Sequence, residues 1–429
     1  MSSPNRASSP NHRLLIRARA VLPVARPPID NGAVLVAGHR IVQVGRWPEM
    51  STPRRAAVVD LGDTLLLPGL VNAHCHLDYT DLAGRVPPQK SFTNWIKLMT
   101  ATKAERSDAE FAESWLHGAD MLLRSGTTTV GDFEVLPHLL PSLWAGTPLR
   151  VISFLELTGV KSRRDPRSIL AEAERRIRSL PRHPRCRAAI APHAPYSTLP
   201  ELVRRAARLS SRRRWPLSIH VAESTEEFEM FTRAGGPMFD WLKLNQRDAS
   251  DCGLGSPVQH LERCGALAPN LLAVHVNYLA PGDAARLGHH HVSVVHCPRS
   301  HVYFGHRKFP FRELSRARVN ICLGTDSLAT VYKRRKDTVE LNLFEELRAF
   351  AKAHPRVARE KLLNLVTVNA ARALGLAGKI GELTPGTLAD LVALPFSGPL
   401  NAAHEAALEH RGDVSANLIH GQWAVPPAA

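Results

Sequence analysis

LLLPGLVNAHCHLDYT, residues 65–80, opens on an apolar run and closes with two histidines one residue apart, His74 and His76. Continuous rather than alternating apolarity, here over 65–73, marks a strand covered on both faces. Side chains alternate along a strand, so His74 and His76 share one face, while Cys75 points the other way and reads as packing. Two imidazoles on one face can approach one metal ion, with Zn–N bonds of about 2.0–2.1 Å. They leave it short of ligands, so partners must come from elsewhere in the chain.

The same kind of apolar run returns at 127–133, 149–157, 187–192, 216–222, 270–276, 292–297 and 319–324. Between the runs lie helix-like stretches, among them 108–126, 167–180, 200–212 and 224–235. Eight strands with helical spacers predict an α/β fold, the (β/α)8 TIM barrel, over a doubly wound open sheet. Residues 13–67 read instead as short β segments, and two helices after 324 lead back into β with GKIGELTPGTLADLVALPF and SANLIHGQW. Both chain ends are therefore β-rich and can pair, since termini are often close in space. The expected organisation is a disordered polar tail over 1–11, a composite β-sandwich domain from 12–64 plus 380–425, and a barrel over 65–379.

The chain has 429 residues, 44% of them hydrophobic, enough for a large core. No apolar run approaches the roughly 20 residues that span a bilayer. The start lacks the apolar segment of a secretory signal, so a cytoplasmic location is expected. The formal net charge is +16. The arginines are dispersed, with short runs at 161–164, 212–214 and 333–336, and no nucleic-acid-binding motif accompanies them. Solvated basic faces are therefore the reading, and nucleic acid is not an expected partner. The six cysteines are scattered with no C-x-x-C, which argues against a disulfide framework or a cysteine-built zinc site.

In such a barrel the C-terminal ends of the strands face the active site. His193, His220, His275, His296 and Asp326 all fall at such ends. His220 and Asp326 close the set begun by His74 and His76, giving three nitrogens and one oxygen with room for water, which suits zinc or a similar divalent ion. Glu223, three residues after His220, places a carboxyl where it can relay protons, and His275 on the neighbouring strand can hydrogen-bond a water or a substrate. The run His289 to His291 precedes the seventh strand and reads as loop.

PGLVNAHCHLD, HVAES, AVH, HCPRS and LGTDS, in that order, with GKIGELTPGTLADLVAL following, resemble the amidohydrolase superfamily over about 13 to 425. The branch they most resemble is the deaminase and chlorohydrolase group, which includes guanine, cytosine and thioadenosine deaminases and triazine hydrolases. No lysine ends the fourth strand, IAPHAPY, which separates the chain from binuclear relatives that resemble hydantoinases. The resemblance implies one metal ion, zinc ahead of iron, held by His74, His76, His220 and Asp326. It further implies attack by a metal-bound hydroxide, with Asp326 and His275 steadying the water and Glu223 protonating a ring nitrogen.

The expected reaction is hydrolytic deamination of an aminated heterocycle, such as a purine, a nucleoside-like compound or an aminofutalosine-type compound. The alternatives are displacement of chloride or an alkylamine from a triazine-like ring and, in another class, a non-catalytic basic binding protein on a barrel scaffold. Asp78, Trp95 and His193 are candidate substrate contacts. The chain departs from its group at His301, where asparagine is common, and at Ser327, where many relatives have glycine; both positions are expected to line the substrate pocket. The expected partner is a small heterocyclic molecule, and a homo-oligomer is compatible with the sequence.

Overall fold

The computed structural model describes residues 13–51, 53–54, 56–160 and 165–428. The tail expected over 1–11 and the basic run 161–164 lie outside them. The chain begins with β1 (Arg13–Val21), β2 (Ile29–Ala37), β3 (Arg40–Arg46), β4 (Ala56–Asp60) and β5 (Thr64–Pro68). It continues through β6 (Leu70–Cys75), β7 (Thr127–Glu134), β8 (Arg150–Leu157), β9 (Arg187–Pro192), β10 (Leu217–Val221), β11 (Leu271–His275), β12 (Ser293–His296) and β13 (Asn320–Leu323). It ends with β14 (Leu391–Pro395), β15 (Ala416–Ile419) and β16 (Gln422–Val425).

Strands β6 to β13 form one sheet in strict chain order, every neighbouring pair parallel. The sheet curls until its two edges meet. Cys75 bridges to Asp326 in parallel, with His76 N donating to Asp326 O (3.2 Å) and Asp326 N to His74 O (3.2 Å). This is a (β/α)8 barrel, and its closing seam runs through the histidine pair. Parallel strands need crossovers, and the helices supply them with ordinary local signals. Helix α2 (Asp108–Arg124), for example, starts on a reciprocal Ser107–Glu110 capping box and buries Phe111, Trp115 and Leu122.

The other strands form a second, mixed sheet in the order β16-β15-β14-β5-β1-β2-β3, with β4 also on β1. Both chain ends therefore build it, because β14 pairs antiparallel with β5, and β5 pairs with β1. The apolar run 65–73 is consequently two strands rather than one. β5 serves the mixed sheet, and the chain crosses into β6 of the barrel at Gly69, where an added Cβ would run into the Thr128 side chain. Both halves are fully buried, so periodicity carried no mark of the division. A buried ion pair between Arg150 and Asp390 (Nη2–Oδ2 3.0 Å) ties barrel strand β8 to the mixed sheet.

All six cysteines are buried and free, Cys75 among them. No helix among the described residues is long and apolar enough to cross a membrane.

Candidate metal centre and active site

Strand alternation and the closing seam bring four side chains to one point inside the mouth of the barrel. His74 projects from β6 and His76 from the residue that follows it, His220 from β10, and Asp326 from the turn after β13. The Nε2 of His220 lies 3.3 Å from that of His74 and 3.4 Å from that of His76. Asp326 Oδ1 lies 3.6 Å from His74 Nε2 and 3.7 Å from His76 Nε2. A tetrahedral shell with bonds of about 2.0–2.1 Å has edges of about 3.3–3.4 Å between its donors. His220 Nε2 and Asp326 Oδ1 thus each lie 3.3–3.7 Å from both His74 Nε2 and His76 Nε2, near the spacing of donors on one divalent cation, and the residues fit such an ion.

The surroundings hold these donors in a ligand-ready state. Burial drives the pKa values of His76 and His220 well down, with neighbouring imidazoles adding to the effect, so both rings are neutral. His220 Nδ1 donates to the backbone oxygen of His193 (2.9 Å), which leaves Nε2 unprotonated toward the centre. Burial alone would raise Asp326, but the neighbouring imidazoles of His74, His275 and His76 hold it below the ordinary carboxylate range. Thr330 Oγ1 donates to Asp326 Oδ2 (3.2 Å). Asn72, on the same face of β6, donates to Thr325 Oγ1 (2.8 Å) and accepts from Thr325 N (3.1 Å), fixing the turn that carries Asp326. Asp326 itself sits at φ 54° and His275 at φ 74°, left-handed conformations that are costly for residues with a Cβ and cluster at functional sites.

Glu223 and His275 form a second pair beside the four. His275 Nε2 lies 3.4 Å from Glu223 Oε1. Burial pushes the Glu223 carboxyl well up, with the negative charges of Asp326 and Glu227 adding to it. Burial lowers His275 to about 3. Burial thus favours the protonated form of the carboxyl and the neutral form of the imidazole, the division of labour that acid–base chemistry needs. The main chain of Glu223 is anchored by its N–H to Glu227 Oε2 (2.8 Å) and by its carbonyl, which accepts from Asn277 Nδ2 (2.9 Å).

A cavity of about 410 Å³ opens over these residues. Trp95, His193 and Ser327, the candidate substrate contacts, line it. Asp78 does not line it. The residues after β6 form a 3-10 helix, Leu77–Leu82, in which positions three apart share a face. Tyr79 therefore stacks on His76 (centroids 5.1 Å, 5°) and lines the cavity, while Asp78 is turned into a small separate void with Glu134. His301 is not on the wall either. Its Nδ1 is 2.9 Å from Asn277 Oδ1, and its ring packs against His296 and His306. His296, at the end of β12, is buried and stacked on Phe309 at 3.8 Å, a packing role. His289 ends a short helix, Asp283–His289, and His290 caps it.

Several wall residues escaped the sequence reading. Lys103, from helix α1 (Phe92–Ala104), and Tyr196 and Trp241 carry no local signal of function. Glu156 does carry one, a carboxylate near the C-terminal end of an otherwise apolar strand, LRVISFLEL.

Comparison with known proteins bears directly on this arrangement. The sequence model of the amidohydrolase family matches residues 65–424. A 5-methylthioadenosine/S-adenosylhomocysteine deaminase of Syntrophobacter fumaroxidans is 30% identical over 414 residues, covering 92% of this chain and 88% of that protein. An aminodeoxyfutalosine deaminase of Deinococcus radiodurans is 29% identical, covering 70% of this chain and 72% of that protein. Among solved structures, an adenosine deaminase from Xanthomonas campestris with bound zinc superposes with a TM-score of 0.82 at 25% identity, covering 97% of this chain and 93% of that one.

Proposed function

The chain belongs to the amidohydrolase family, and from that premise we propose that it hydrolytically deaminates the adenine ring of a 5′-modified adenosine. The observation that carries this reading is the Glu223 carboxyl placed 3.4 Å from His275 beside the donors His74, His76, His220 and Asp326. His74, His76, His220 and Asp326 would hold one divalent ion, zinc by preference given the three nitrogens and one carboxylate. When bound, such an ion polarises a water and lowers its pKa toward about 7.

Each remaining role belongs to a side chain. Glu223 donates its proton to the ring nitrogen beside the amine-bearing carbon, which makes that carbon electrophilic. His275 and Asp326 orient the attacking water and take up its proton. A bond from the water oxygen to the ring carbon forms, the carbon–nitrogen bond to the amine breaks, and ammonia leaves with the returned proton. Trp95, Tyr196 and His193 bound the space in which the substrate is held. The relatives named for methylthioadenosine and aminodeoxyfutalosine support a nucleoside over a free base.

Ammonia release from adenosine, 5′-deoxyadenosine and methylthioadenosine, against chloride release from a chlorotriazine, tests the reading. Ammonia from at least one nucleoside is expected. Faster chloride release, or no ammonia from any nucleoside with metal-loaded protein, would overturn it.

A further inference from the structure

Phe92, Trp95, Ile96, Met99, Thr100 and Lys103 all line the cavity, and their spacing of three and four makes them one face of α1. Yet α1 buries only Phe92, Thr93 and Met99 of its 13 residues, so packing alone holds it weakly. Its place over the barrel mouth is set at its two ends. Just beyond the C-terminal end, Arg106 Nη1 donates to Asp78 O (2.7 Å). At the N-terminal end the partner is Glu226. Its Oε1 accepts from Phe92 N (2.9 Å), and its Oε2 accepts from Thr93 N (2.9 Å) and from the Thr93 hydroxyl. Glu226 itself does not line the cavity.

Helix α1 has an ordinary local cap as well, because Ser91 Oγ accepts from Asn94 N (3.3 Å). A local cap starts a helix, but only a partner on another element fixes where the helix sits. Glu226 lies on the helix Thr225–Arg233, whose N-cap, Ser224, directly follows Glu223. Ser224 Oγ accepts from Glu227 N (3.1 Å), and Glu227 Oε2 accepts from Glu223 N (2.8 Å). One hydrogen-bonded turn therefore carries both the Glu223 carboxyl and the grip on the cavity wall. From this we propose that Glu226 is a positioning residue, which acts through α1 to hold Trp95 and Met99 in register with Glu223. The proposal rests on the reading that Glu223 acts on a nucleoside in this cavity, and it adds a residue outside the cavity on which substrate binding depends. The binding-competent protein is the fraction with α1 seated, and loosening the grip lowers the apparent affinity by that fraction. Substrate at saturation reseats the helix, because it binds the seated form, so turnover is retained.

Replacing Glu226 by Gln keeps the shape but leaves one acceptor oxygen in place of two and turns an amide donor toward a donor. Zinc-loaded wild type and Glu226→Gln are compared in methylthioadenosine kinetics and in native-state hydrogen exchange. The variant is expected to raise KM about tenfold with kcat within about twofold of the wild type. Exchange should quicken at Phe92 and Thr93 and stay unchanged in the barrel strands. A KM within about twofold of the wild type, or a fall in kcat as large as the rise in KM, overturns the proposal. So does faster exchange throughout the barrel, which marks a loss of overall stability. Should Glu226→Gln not fold, Thr93→Val, of nearly the same shape as the native residue, carries the test. It removes the hydroxyl bond alone, so a smaller rise in KM at constant kcat is expected, and an unchanged KM overturns the proposal. Absence of ammonia from every nucleoside with the wild type overturns the deaminase reading instead. Exchange then decides the grip by itself: quickening confined to α1 supports it, and unchanged exchange overturns it.

Discussion

His275 Nε2 lies 3.4 Å from Glu223 Oε1, one residue ending β11 and the other following the neighbouring strand β10. Both are buried, and burial moves them in opposite directions because it disfavours the charged form of each. The protonated carboxyl and the neutral imidazole are the forms that burial favours. Replacing Glu223 by Gln keeps the shape and removes the transferable proton. The expected outcome is a fall in kcat of roughly 10²–10⁴-fold, with bound metal unchanged by elemental analysis. Wild-type turnover in the variant would remove Glu223 from the reaction.

Metal removal should abolish ammonia release, and one equivalent of zinc should restore it. His220→Ala and Asp326→Ala each delete a corner of the four-donor set and should fail to retain one equivalent per chain after dialysis. Full stoichiometric metal in both variants would place the ion elsewhere.

Gly324 precedes the turn that carries Asp326. A Cβ there would lie 2.6 Å from His74 O and 2.9 Å from His74 Cβ, against backbone rather than a flexible tip. Gly324→Ala should push the closing strands apart at the seam, lowering the denaturation midpoint and weakening metal retention together. A variant with unchanged midpoint and metal content would show that the seam can yield.

Arg150 and Asp390 are buried side chains paired across the boundary between barrel and mixed sheet. Breaking a buried pair from one side leaves an uncompensated charge, so Asp390→Ala should cost about 3–5 kcal/mol in chemical denaturation. Asp390 also accepts from His420 N at 2.8 Å, which adds a lost backbone contact. A cost below about 1 kcal/mol, the range of exposed pairs, would contradict this assignment.

Stability should peak near pH 6.5. Burial lowers His260, His301 and His420 to about 4 and His306 to about 3, against roughly 6.5 in the unfolded chain. As pH falls below about 6.5 the unfolded chain takes up protons that the native state refuses, so stability drops toward pH 4. Burial also raises Glu134 to about 7 and Glu227 to about 8. The native state keeps these protons where the unfolded chain, titrating near 4.3, has lost them, so stability declines as pH rises toward 8. Among these groups the histidine effect fades as pH rises through about 6.5, while the carboxyl effect persists to about pH 7–8. Urea midpoints measured from pH 4.5 to 8.5 check the shape, and a monotonic rise through pH 8 would contradict it.

The eight-strand order and the side chains that converge at the barrel mouth were legible in the chain alone because they depend on local rules. Alternation puts His74 and His76 on one face whatever the rest of the chain does, and barrel geometry sends strand ends to one mouth. His220, Glu223, His275 and Asp326 stand at such ends, and so could be grouped without coordinates. The division of residues 65–73 at Gly69 was not legible, because both halves are equally apolar and only pairing partners distinguish them. Nor was the choice of Tyr79 over Asp78 for the cavity wall, which follows from the 3-10 turn rather than from residue type. Lys103 reaches the cavity only because α1 folds back over the barrel mouth, a matter of packing between elements distant in sequence. The sequence by itself determined the barrel and the set of groups that can hold a metal and move protons, since strand periodicity acts over a few residues. Tertiary structure alone decided which loop side chains line the cavity, since that depends on how separate elements pack against one another.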